Sequence, residues 1–148
     1  METIEAALVD SGRPLLIPPA APLATLPETV VIAWKATREA ARAVTAALPV
    51  LQIAKQIVII TVAEDQRAPG EDADRLMAGL RWHGVPISVR HLPADGQSPA
   101  ETLLTAAREH AALLVMGGYG HSRLREWIFG GFTLHVLRGC EVPVLMAH

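Results

Sequence analysis

From residue 30 onward, apolar residues fall alternately into strand-length runs and helix-spaced faces. The first run is Val30-Val31-Ile32-Ala33-Trp34. Thr37 then offers an N-cap, and Ala40, Val44, Leu48 and Leu51 share one face at helical spacing. Pro49 lies inside that pattern, so the helix is expected to end or kink there. Gln56 to Val62 is apolar and rich in β-branched residues, the mark of a strand covered on both faces. A polar loop from Glu64 to Gly70 leads to a helix carrying Leu76, Met77 and Leu80, which Gly84 can close in the left-handed conformation. Val85 to Leu92 reads as a more polar third strand near a sheet edge. Ser98-Pro99-Ala100-Glu101 combines an N-cap, a first-turn proline and a capping-box glutamate, so a helix starts there and runs to about His110. Leu113 to Met116 gives a fourth strand. A glycine-rich loop and further helical residues follow, and Pro143 to Met146 gives a fifth strand.

Strands alternating with helices predict an α/β domain with a parallel sheet and right-handed crossovers. In such sheets the ligand crevice lies beyond the carboxyl ends of the strands. That directs attention to Trp34–Thr37, Val62–Asp65 and Gly117–Thr133. Residues 1–28 stand outside the alternation, and the domain proper is expected over 29–148. Pro14, Pro18, Pro19, Pro22 and Pro27 make the first segment mostly extended. A faint echo links the two ends of the chain. Ala7-Leu8, five residues, then Pro14-Leu15-Leu16-Ile17 matches Val136-Leu137, five residues, then Pro143-Val144-Leu145-Met146. The echo reads in each case as the end of a helix running into a short strand opened by proline, and it predicts an edge strand over Leu15 to Pro18, antiparallel to Val142–Met146, formed within one chain or swapped between two. Pro19 to Pro27 would then be the linker.

Composition narrows the function. Among 148 residues, 13 Lys plus Arg stand against 15 Asp plus Glu, a formal charge of −2. That balance argues against a broad basic surface for nucleic acid. Hydrophobic residues make up 51% and aromatics only 4%, so the core must be built from Ala, Val, Leu and Ile. The longest apolar stretch, Ala111 to Met116, is far short of a membrane span. Met1-Glu2-Thr3-Ile4-Glu5 is acidic where a signal peptide would be basic. Cys140 is the single cysteine, which excludes an internal disulfide. The expectation is a cytoplasmic domain without nucleic-acid or membrane partners.

The chemistry gathers after the fourth strand, in Gly117-Gly118-Tyr119-Gly120 and in Gly130-Gly131-Phe132-Thr133. Glycines let backbone N–H groups approach a ligand closely, and successive N–H groups near a helix N-terminus make a phosphate-sized anion site. The alternative is that they only shape a turn and a close helix–sheet contact.

Gly117-x-x-Gly120, nine residues, then Gly130-x-x-Thr133 resembles the nucleotide-binding signature of the universal stress protein family. Val115-Met116-Gly-Gly-Tyr-Gly-His121-Ser122-Arg123-Leu124, the closing Val142-Pro143-Val144-Leu145, and Arg38-Glu39-Ala40-Ala41-Arg42-Ala43 are also similar to that family. The resemblance implies an adenine nucleotide alpha hydrolase-like fold, with a five-stranded parallel sheet in the order 3-2-1-4-5 and helices on both faces. It implies a stress-response module that pairs as a homodimer through the fifth strand and holds ATP or AMP with Mg²⁺. By the same resemblance the ligand would meet Ala33, Trp34, Lys35, Val62, Met116, Gly117, Gly120, Gly130, Gly131, Phe132 and Thr133. Phosphates would lie over the glycines and the base near Ala33, Trp34 and Val62. Two positions depart from the ATP-binding pattern. Lys35 stands where those members carry Asp, and an ammonium donates but cannot accept from ribose hydroxyls. Gly131 stands where they carry Ser or Thr. An empty pocket therefore remains the alternative.

Other signals are weak. Gly118-Tyr119-Gly120 has Arg123 where a dinucleotide fingerprint needs glycine, and no Gly-Lys-Ser/Thr loop occurs. Ser122 lacks the flanks of a nucleophile elbow. The six histidines show no metal-ligand spacing. Trp34 reads as core or as a base-pocket wall, with core favoured. Without paired carboxylates or a nucleophile–base pair in the candidate loops, catalysis has no identifiable groups. The leading reading is a small-ligand binding or signalling module. The alternatives are a slow nucleotide hydrolase using Glu64, Asp65 or Glu126, and a dimeric interaction module that binds no nucleotide.

Overall fold

A computed structural model describes residues 2–62, 70–93, 98–110, 112–118, 136, 138 and 141–148. The chain opens with helix α1 (Glu2–Ser11) and strand β1 (Leu15–Ile17). The alternation β2 (Thr29–Ala33), α2 (Arg38–Leu51), β3 (Gln56–Val62), α3 (Glu71–Leu80), β4 (Ile87–Leu92), α4 (Pro99–Glu109), β5 (Leu113–Gly117) and β6 (Val144–Ala147) follows. The six strands form one sheet in the order β1-β6-β5-β2-β3-β4. From β2 onward every pairing is parallel, which is the expected 3-2-1-4-5 order. The sixth strand, β1, adds an antiparallel edge beside β6 in the same chain, with Leu15 opposite Met146, Leu16 opposite Leu145 and Ile17 opposite Val144.

Successive side chains of a strand point to opposite faces, and β3 feeds both layers. Ile57 and Ile59 pack with Ala43, Val44, Ala47 and Leu51 of α2 and with Ala73 and Leu80 of α3. Val58 and Ile60 pack with Leu103, Leu104, Ala106 and Ala107 of α4, with Leu8 of α1 and with Val136. Small alanines on the buried helix faces let helices sit close to the sheet, so few aromatics are needed.

Local signals place the helix ends. Thr37 Oγ1 accepts from the Ala40 N–H at 3.2 Å at the start of α2. Ser98 and Glu101 make the reciprocal capping box, each bond 3.2 Å long. A 3-10 turn, Arg81–His83, ends on Gly84 with φ 74°, the left-handed residue expected there.

Two expectations are corrected. Pro49 does not end α2, which continues to Leu51. Pro49 is exposed and lies in the last turn, where only its own missing N–H bond is lost. In the N-terminal segment the extended reading fails over Glu2–Ser11, which is helical. The prolines begin only at 14, Gly12 ends the helix at φ 60°, and Leu8 is fully buried beneath it. No helix among the described residues is long and apolar enough to cross a membrane.

Candidate functional site

The parallel register brings the carboxyl ends of β2, β3, β5 and β6 to one edge. Ala33 lies between Ile60 and Met116, and Gly117 lies beside Ala147. The Trp34 N–H donates to the Ile60 carbonyl at 2.8 Å, carrying the ladder one residue past β2. The chain then turns sharply, with the Thr37 N–H donating to the Lys35 carbonyl at 2.7 Å, and enters α2. The N-terminal turn of α2 therefore stands directly over this edge.

The described candidates sort by face. Ala33, Val62 and Met116 belong to the layer packed by α4, with Met116 buried and the other two half-buried. Trp34 packs half-buried against the α2–α3 layer. Its indole Nε1–H is buried and has no hydrogen-bond partner among the described residues. Trp is a donor only at that atom, and buried donors are nearly always satisfied. Lys35 is exposed at the mouth of the edge. Gly120, Gly130, Gly131, Phe132 and Thr133 lie outside the described residues.

Gly117 and Gly118 show two separate reasons for having no side chain. A Cβ on Gly117 would sit 2.5 Å from the Ala40 nitrogen and 2.7 Å from the Glu39 carbonyl carbon. That is backbone against backbone, so the first turn of α2 presses directly onto the end of β5. On Gly118 a Cβ would meet the Met146 sulfur at 2.7 Å and Leu8 Cδ2 at 2.9 Å. The Gly118 N–H already donates to the Ala147 carbonyl at 2.8 Å. Of the two sequence readings, close packing accounts for both residues.

Four participants carried no local sequence signal. Arg42 Nη1 donates to the His148 carbonyl at 2.9 Å, although the residues are 106 positions apart. His148 Nδ1 lies 3.1 Å from the Gly118 carbonyl. Together they tie α2, β5 and the end of β6 at this edge. At the neighbouring strand pair, Thr61 Oγ1 and His91 Nδ1 are hydrogen-bonded at 2.6 Å across β3 and β4. Among the described residues no cluster of His, Cys, Asp and Glu is arranged to hold a metal.

A mostly parallel sheet with helices on both faces defines the doubly wound α/β class, whose ligands sit at the carboxyl edge. Within it the chain belongs to the universal stress protein family, whose model matches residues 27–148. A universal stress protein from Archaeoglobus fulgidus DSM 4304 is 26% identical, with a TM-score of 0.74. The match covers 97% of this chain but 52% of that one, so this chain spans about half its length. A crystal structure of a universal stress protein in complex with cAMP is 27% identical, with a TM-score of 0.62 over 84% of this chain and 98% of that one. UspA from Lactobacillus plantarum, 16% identical, shares the fold with a TM-score of 0.58 over 84% of this chain and 99% of its own. No curated protein sequence matches the chain.

Proposed function

We propose that this chain is an adenine-nucleotide-binding module of the stress response, working in the cytoplasm as a binding or signalling unit without turnover. The observation that carries the reading is the Trp34 indole N–H, a buried donor without a partner among the described residues at the carboxyl edge of the sheet. A base has ring nitrogens that accept such a bond, and a buried donor left unpaired favours any ligand that supplies an acceptor. A relative that holds cAMP supports the ligand class. The base would lie near Ala33, Trp34 and Val62, and the phosphates, with Mg²⁺ where ATP is bound, near Lys35 and the glycine loops. Lys35 suits phosphate rather than ribose, since it only donates.

The second reading, an interaction module with a vestigial pocket, is favoured by one feature. Gly117 and Gly118 are both accounted for by packing alone. Mass spectrometry of gently purified protein, followed by titration with ATP, AMP and cAMP, separates the two. Binding is expected, and Trp34→Phe should weaken it several-fold, as loss of one hydrogen bond of ~0.5–1.5 kcal/mol implies. Gly120→Val should abolish it while the circular dichroism spectrum is kept. Absence of binding to all three nucleotides would leave the interaction module. Phosphate release that requires Mg²⁺ would favour the hydrolase instead.

A further inference from the structure

The antiparallel pairing of β1 with β6 has a local two-fold symmetry. The sequence echo equates Leu15 with Val144, Leu16 with Leu145, and Ile17 with Met146. In the sheet Leu16 faces Leu145, the middle position of each strand, while Leu15 faces Met146 and Ile17 faces Val144. Each strand therefore presents to the other the equivalent of what it receives. This is the relation that two identical strands adopt about a two-fold axis.

We infer that β1 stands where a second copy's β6 would stand, and that α1 and β1 cap in cis an edge able to pair with itself. Three further observations support the assignment. The cap has a prepared seat, since Gly118 leaves the space that Leu8 and Met146 fill. Its tether, residues 18–27, has no helix or strand and no backbone–backbone hydrogen bond among the described residues. Relatives of single-unit length cover 84% of this chain, whereas the Archaeoglobus chain, about twice as long, covers 97%. The extra coverage is what a segment equivalent to the end of a preceding unit would add. An uncapped β6 would expose a row of unpaired N–H and C=O groups, and the partner that fits them is the β6 of a second copy. The homodimer through the fifth strand thus belongs to the state in which β1 has left the edge.

The test uses the full chain with Cys140→Ser, and Leu145→Cys as a reporter on the expected axis. Light scattering should find a monomer, and oxidation should give little disulfide dimer. Leu15→Asp with Ile17→Asp puts carboxylates where β1 now packs against the core, and release of the strand returns them to water. This variant should become a dimer and form a disulfide between the reporter thiols of its two subunits. Should it lose its circular dichroism signal, Ile17→Ala only trims the contact, and slow oxidation should trap more dimer than in the parent. In a separate chain, Leu16→Cys with Leu145→Cys should close a disulfide within one molecule. Three results would overturn the inference. They are a full chain that dimerises through the reporter thiol as readily as the cap variants, a folded cap variant that stays monomeric and traps no dimer, or a doubly substituted chain whose disulfide joins two molecules.

Discussion

Gly117 and Gly79 show how differently one residue type is constrained in this chain. A Cβ at 117 would collide with the backbone of α2, whereas at Gly79, within α3, nothing lies within 4 Å. Gly117→Ala should therefore destabilise the protein by ~1–3 kcal/mol, the range for overpacking a tight contact. Gly79→Ala should stabilise it by up to ~1 kcal/mol through helix propensity. Urea melts of the two variants check both, and equal effects would remove the packing account of Gly117. Lys35 carries the residue-scale prediction about ligand choice. Lys35→Asp supplies the acceptor that ATP-binding members have, and calorimetry should show tighter ATP binding if the remaining pocket is competent. A loss of binding would instead show that Lys35 contacts phosphate.

At the scale of single elements, caps and core contacts divide the work. α4 is only 11 residues long, and its capping box satisfies backbone donors at its first turn. Ser98→Ala should destabilise the fold by ~1 kcal/mol. Its urea midpoint should fall without a change in slope. The short strand β1 depends on its neighbours instead. Leu15 and Ile17 are half-buried against the core and Leu16 is 55% exposed. In hydrogen exchange, amides of β1 that bond to β6 should be protected well beyond an unfolded peptide. Exchange at the unfolded rate across Leu15, Leu16 and Ile17 would mean that the strand does not hold.

For the whole molecule, ligand binding and stability are linked. A nucleotide that binds only the native state at 100 times its dissociation constant should add ~2.7 kcal/mol to the unfolding free energy. For a chain of this size that corresponds to a rise in Tm of ~2–4 °C per kcal/mol. A thermal scan with ATP, AMP and cAMP reads this directly, and Gly120→Val should show no rise. The sheet gives the linkage its route, because β2, β3, β5 and β6 end together at its carboxyl edge while their other residues form the core. A ligand seated there would hold strands that are far apart in sequence.

The sequence by itself determined the alternation of elements, the capping box at Ser98 and the left-handed turn at Gly84. Each is encoded within a few residues by periodicity, a side-chain oxygen or a missing Cβ. It also carried the pairing of β1 with β6, because the same helix–proline–strand pattern occurs at both ends of the chain. Two local rules misled. Pro49 is tolerated because it falls in a helix's last turn, and α1 forms because Leu8 has a core to enter. Only the tertiary structure decided what the two glycines after β5 do. The atoms that a Cβ at 117 or 118 would meet come from α2, α1 and β6. The Arg42–His148 contact and the Trp34 N–H, without a partner among the described residues, were equally illegible. Whether a polar atom finds a partner depends on chain segments brought together only by folding, and no local pattern records that.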